Sequence, residues 1–429
     1  MQQKRTISLL GALAIGVGGM VGGGIFAVLG EAVSLAHGAT AVAFSFAGIV
    51  ALLSAYSYAK LSVFYQSEGG TVAFVDAAFG HNLLSGSLNL MLWLSYLVTI
   101  SLYAVAFSSY GATFFQTHSK LLTHILISLA IILPALINLL SASFVSKSES
   151  FIVAIKLALL FLIIGSSSSY VSLERLSVEH WSSPFSIVVA GMIIFVAYEG
   201  FELIANAAQE VKDPKKNLPR AFYFSVIFVI ILYILIAIIT VGSVDEKSLL
   251  EAKDYALAIA AEPALGKLGF TLVSVAALLA TLSAINATIY GNARLAYIIA
   301  SEGELPSILK HEKNKIPTMG VVFTLGFSLI IANSINLDEI AIIGSASFLL
   351  IFFVVNISAF KLAKKIGASK FITFISSVFS LFSLLVLLYF TYKTDATAVV
   401  TFFAFVLISF LFESFYGRYI RGELFHRKY

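Results

Sequence analysis

The chain has 429 residues, 59% of them hydrophobic and 12% charged, with a mean hydropathy of +0.97. Soluble domains carry roughly 25% charged residues, so this composition excludes one and specifies an integral membrane protein; the long continuous apolar runs exclude an outer-membrane barrel, whose strands alternate over short segments. The net charge of +4 is spread in short basic clusters between apolar runs, which argues against a nucleic-acid partner, and the lack of any cysteine excludes disulfides, thiol nucleophiles and thiolate metal sites.

A spanning helix needs about 20 apolar residues. Twelve segments qualify as transmembrane helices: Ile7–Leu29, Thr40–Phe64, Gly86–Phe115, Leu121–Leu140, Phe151–Gly165, Phe185–Ala208, Ala221–Gly242, Leu268–Ala300, Pro317–Ala332, Ile340–Phe360, Phe371–Tyr392 and Thr397–Tyr416. Lys4 and Arg5 before the first run imitate a signal peptide, but the run is too long and has no convincing cleavage site, so it reads as a retained helix. "GSSSSY" at 165–170 reads as a turn, and Ser243–Lys267 as a charged outer segment with a short surface helix. The chain is expected to be one membrane domain over 1–429.

Lysine and arginine set the orientation. With the N-terminus inside, twenty fall on that side, including Lys4, Lys147, Lys315, Arg427 and Lys428; six fall on the other, and Lys156 lies within the fifth span. The asymmetry and the even helix number place both termini in the cytoplasm, in a multi-pass protein of the cell membrane.

The first span carries "GVGGMVGGGIF" (16–26), with six glycines between Gly16 and Gly24. The sixth carries "FVAYEGFELIANAAQE" (195–210), interrupted by Glu199, Gly200 and Glu202. Interruptions at matching places five helices apart point to an inverted-repeat transporter. An unwound stretch offers N–H groups to a carboxylate and carbonyls to an ammonium, so both ends of an amino acid can be held by backbone. The competing reading of the first span is close packing through Gly18 and Gly22, a GxxxG pair. Glu202 can cap N–H groups freed by the break, whereas Glu199 can face substrate or carry a proton. Lys156, in "ESFIVAIKLALLFLIIG" (149–165), lies about two turns past Glu149 and either snorkels or is a buried, proton-exchanging amine. Tyr96, Tyr103, Thr281, Ser283, Asn286 and Thr288 are polar span positions whose ordinary role is interhelical hydrogen bonding, and Arg294 is expected to reach the cytoplasmic interface. No HExxH, GxSxG or phosphate loop occurs, so the chain does not read as an enzyme.

These features resemble the amino acid–polyamine–organocation (APC) superfamily of permeases, and within it the archaeal proton-coupled amino-acid transporters. The resemblance rests on "VGGMVGGGIF", "EGGTVAFVDAAFG" (68–80), "AYEGFELIANAAQEVKDPKKNLPRA" (197–221), "LSAINATIYGNARLAYIIASEGELP" (282–306) and "FIVAIKLALL" around Lys156. It implies an all-α LeuT-like fold. One five-helix repeat spans about 7–170, an inverted second about 185–362, and two extra helices about 370–417, with helices 1 and 6 broken. It implies substrate between helices 1, 3, 6 and 8, with the carboxylate on N–H groups of Gly22, Gly23 and Gly24. The amino group would meet carbonyls of Met20, Phe195, Ala197 and Tyr198, with Tyr96, Tyr103, Glu199 and Thr288 joining the pocket. Lys156 would couple protons beside Gly18, Thr281 and Ser283. Glu199 stands where such permeases often carry an apolar residue. The expected function is amino-acid uptake by proton symport, with exchange or import of cationic amino acids or polyamines as the alternative. No cofactor or metal is expected; the partners are an amino acid, H⁺ and the lipid bilayer, with monomer and homodimer both open.

Overall fold

In the computed structural model residues 5–115, 119–140, 142–313 and 316–421 are described, with backbone alone for 142–150. Lys4, Lys315, Arg427 and Lys428 lie outside them, as do the side chains of Lys147 and Glu149. The described residues form helices and turns, with only isolated bridges such as Ile7 with Val211. In hydrocarbon each helix satisfies its own backbone, which is why an apolar chain of this length folds this way.

The first half comprises α1 (Leu9–Met20), α2 (Gly24–Ala36), α3 (Thr40–Phe64), α4 (Thr71–Phe79), α5 (Leu83–Ala112), α6 (Lys120–Leu140) and α7 (Ala142–Ser167). Next come α8 (Pro184–Ile193), α9 (Leu203–Asn206), α10 (Pro214–Ser243), α11 (Glu246–Glu251), α12 (Ala256–Ala260), α13 (Glu262–Ser301), α14 (Thr318–Ser334) and α15 (Leu337–Lys361). α16 (Ala363–Ile366), α17 (Lys370–Thr394) and α18 (Ala396–Tyr416) close the chain. Polar caps start the long helices. Asn82 accepts the N–H groups of Leu84 and Ser85 while the Ser85 hydroxyl accepts that of Asn82, and Asn336 accepts the Glu339 N–H.

Among the described residues ten helical segments are long and apolar enough to cross a bilayer, and the α1/α2 pair, bent by 47°, makes an eleventh. The segment expected at 317–332 is α14, whose 17 residues reach only about 25 Å at the rise of an α-helix. Several boundaries differ from expectation. The first span continues through α2 to Ala36. The serine stretch at 165–170 is not a plain turn: α7 runs through Ser167 and tightens into a 3₁₀ turn over Ser168–Tyr170. Its hydroxyls donate back to carbonyls one turn earlier, Ser166 to Ile163 and Ser168 to Gly165, so serine here prolongs helix. Residues 68–80 carry a helix of their own, α4, entered through Gly70 at φ +47°. Ser243–Lys267 holds two short helices, α11 and α12.

α5, α8 and α15 form the interior, whereas α6, α7, α17 and α18 turn large apolar side chains such as Leu136, Phe161, Phe382 and Leu411 outward. Without a lipid phase to explain it, that outer apolar surface would be far too large for a water-soluble chain. Asn356 of α15 donates to Ser54 of α3 and Ser380 of α17, tying the last helices to the interior.

Two helices break at mid-depth. α1 gives way to α2 through Val21–Gly23. α8 runs into a 3₁₀ turn over Ile194–Tyr198, and helix resumes only at α9. The breaks lie directly against each other: a Cβ on Gly19 would stand 2.7 Å from the Gly200 carbonyl oxygen and one on Gly24 2.8 Å from Ala197 Cα. Gly200 is also at φ +118°, where side chains strain the backbone. Gly200→Ala should therefore lower stability by about 1–3 kcal/mol from backbone strain alone, read as an earlier loss of monodisperse protein on heating in detergent; an unchanged profile would contradict this packing.

Candidate functional site

The breaks leave backbone groups without helical partners. At the end of α1, the Gly18 carbonyl accepts from Lys156 Nζ at 3.0 Å and the Met20 carbonyl from the Tyr233 hydroxyl at 2.6 Å. The same hydroxyl lies 3.1 Å from the Ala197 carbonyl, so one α10 side chain joins both broken helices. At the start of α2, the N–H groups of Gly24, Ile25 and Phe26 lie in the first helical turn, whose donors have no acceptor within the helix. In the second break Ser345 of α15 bridges the gap, accepting the Val196 N–H at 3.0 Å and donating to the Ile193 carbonyl. Glu202 Oε2 accepts the Gly200 N–H at 2.8 Å, which is the capping role.

Lys156 does not snorkel: it is 1% exposed, with its ammonium at the negative end of α1. Glu199 and Glu202 are equally buried. Two tyrosines seven residues apart on one face of α5 reach them, Tyr96 to Glu202 Oε1 at 3.0 Å and Tyr103 to Glu199 Oε2 at 3.2 Å.

The structure thus gathers Gly18, Met20, Gly22, Gly23, Gly24, Phe195, Ala197, Glu199, Tyr96, Tyr103 and Lys156 around the paired breaks. The glycines leave room here for protein. A Cβ on Gly22 would meet Ala284 at 2.7 Å, and one on Gly23 would run into the Tyr103 ring. Tyr198 lends only backbone, since its hydroxyl donates to Phe44 of α3 at 2.8 Å. Thr281, Ser283 and Thr288 lie buried on α13, and the Thr281 hydroxyl donates to Ala277 of its own helix. Asn286 makes the ordinary interhelical bond, its side-chain oxygen accepting from Asn138 of α6.

Both ends of the bundle are latched. At the end bearing the N-terminus, Ile7 pairs with the backbone of Glu210 and Lys212, and Arg294 meets Glu68 at 2.7 Å. At the other end Lys253 contacts Glu31 of α2 and stands 2.8 Å from Asp338 of α15, while His37 Nδ1 lies 2.7 Å from Glu246. Burial works against the Lys253 ammonium, but hydrogen bonds to Asp338 and Glu31 outweigh it and hold the amine above its usual 10.5. The Lys253 amine therefore stays charged through the physiological range.

Sequence reasoning missed Tyr233 and Ser345. The signal for Tyr233 was present: a lone tyrosine within "IILYILIAII" must bring its hydroxyl to a partner inside an apolar layer. Ser345 had no such signal, because buried serines commonly bond within their own helix.

The amino acid permease family model matches residues 7–412. The inner membrane transport protein YbaT of Escherichia coli is 35% identical over 85% of this chain and 86% of its own. The methylthioribose transporter of Bacillus subtilis is 28% identical (84% and 82%), and the branched-chain amino acid permease BcaP of the same organism 23% identical (84% and 82%).

Tyr233→Phe keeps the ring and leaves two buried carbonyls without their donor. It should cost about 1–3 kcal/mol, the usual loss for a buried polar group left unpaired, seen as a lower melting temperature than wild type in the same detergent.

Proposed function

Because the chain belongs to the amino acid permease family, a family of multi-pass transporters and not of enzymes, we propose that it carries amino acids across the cytoplasmic membrane with protons, by alternating access. The observation that carries this reading is the pair of abutting helix breaks with Lys156 seated on one of them.

Counting the α1/α2 pair and α8/α9 as one span each, and adding α14, gives twelve crossings. Each proposed repeat, about 7–170 and 185–362, then opens with a broken helix, and α17 and α18 follow as extras. The basic-residue bias puts both termini in the cytoplasm, so the Glu68–Arg294 latch is cytoplasmic and the Lys253 latch external.

The substrate carboxylate meets N–H groups of Gly22, Gly23 and Gly24 at the positive end of α2. The substrate ammonium takes the Met20 and Ala197 carbonyls, displacing the Tyr233 hydroxyl that holds them in this closed conformation. Phe195 and Tyr198 add backbone carbonyls, and Thr288 lines the α13 side. When Lys156 gives up its proton, its hold on the Gly18 carbonyl weakens and α1 is released to move. Glu199 already has Tyr103 and Glu202 as neighbours, which favours neutral amino acids over polyamines.

Lys156→Ala in proteoliposomes should abolish proton-dependent uptake of labelled alanine; uptake with the wild-type pH profile would remove the lysine from the coupling. Arginine and putrescine should compete with that uptake more weakly than neutral amino acids do. For the latch, Lys253→Met should raise severalfold the rate at which a thiol reagent labels Ala32→Cys on α2, a clean reporter because the chain has no cysteine.

A further inference from the structure

Glu199 and Glu202 flank Gly200 in the second break, 3% and 1% exposed, with their carboxyl groups close enough for each to act on the other's charge. Among the described residues no lysine, arginine or histidine makes an ion pair with either. The titratable groups facing them are tyrosines from three helices: Tyr58 of α3, Tyr96 and Tyr103 of α5, and Tyr233 of α10.

The donors can be assigned oxygen by oxygen. Glu202 accepts the Tyr96 hydroxyl on Oε1 and the Gly200 N–H on Oε2. Two donors on Glu202 favour its ionised form. Glu199 accepts the Tyr103 hydroxyl on Oε2 alone. Two carboxylates cannot hydrogen-bond each other, because neither is a donor. Two neighbouring buried acids with no basic ion-pair partner disfavour a second negative charge, so the pair keeps one proton, and two donors on Glu202 against one on Glu199 place it on Glu199.

We infer that Glu199 and Glu202 form a proton-binding pair distinct from Lys156, in which Glu199 holds one exchangeable proton in the closed conformation and donates it to Glu202. The tyrosines stand on α5 and the acids on the second break. Movement of the break relative to α5 separates the acids from their donors and admits water. The O–H bond of Glu199 then breaks, its electron pair stays on the carboxylate, and the proton leaves on water. The place of this proton in coupling rests on the transport reading above.

Infrared spectroscopy of the purified full-length chain tests the pair without any substrate. Wild type should show the C=O stretch of a protonated, buried carboxyl, shifted in D₂O and lost reversibly as pH is raised. Glu199→Gln, which keeps the shape and donates an amide N–H to Glu202, should lack that component, and Glu199→Asp should restore it. A wild-type spectrum from which Glu199→Gln removes nothing overturns the assignment. A Glu199-dependent band that does not titrate while the protein stays folded overturns the exchange. In proteoliposomes, the ratio of protons to amino acid moved should fall in Glu199→Gln; an unchanged ratio overturns the coupling role. If wild type carries no amino acid, the transport reading fails while the infrared result still decides the pair.

Discussion

Two helices stop in the middle of an apolar layer, and each N–H and C=O they release must find a partner without water. In hydrocarbon an unsatisfied backbone group costs several kcal/mol, so the breaks survive only because other helices supply donors and acceptors. Lys156 comes from α7, Tyr233 from α10, Ser345 from α15, and Glu202 folds back from the break itself. The interior of the bundle is arranged around that requirement. Each of the four side chains named here ends on a backbone atom at a place where a helix has been interrupted.

The same requirement explains why the glycines concentrate where they do. Gly19 and Gly200 bring two main chains into contact, and any side chain at either would push the breaks apart. The packing and broken-helix readings of the glycine cluster therefore describe one arrangement. Close approach allows Tyr233 to span both breaks, and the spanning hydroxyl in turn holds them at that approach.

Much of this was legible in the sequence because it is local. Apolar run length marks spans, and a glycine cluster or an acid inside a run marks the interruptions in helices 1 and 6. A lone lysine within a run marks a buried charge. What escaped was relational. Nothing in "IILYILIAII" says which carbonyls Tyr233 will reach, since those partners lie 213 and 36 residues away along the chain. Ser345 is indistinguishable in sequence from the serines that bond within their own helix, and α4, with 9 residues, is too short for run length to mark it. The ends of α2 and α7 were misjudged because polar residues need not stop a helix whose side chains can bond its own carbonyls.

The Tyr233 hydroxyl has one proton and faces two carbonyls. At any instant it serves one of them fully and leaves the other with only the electrostatic edge of the O–H dipole. A primary ammonium brings three N–H donors and a full positive charge to the same pair of oxygens. The paired breaks are thus a place of standing acceptor surplus, spanned by a single hydroxyl donor. On the transport reading proposed above, a ligand that ends in an ammonium outmatches that donor by number and by charge, and its capture turns on donor count before any side-chain pocket is consulted.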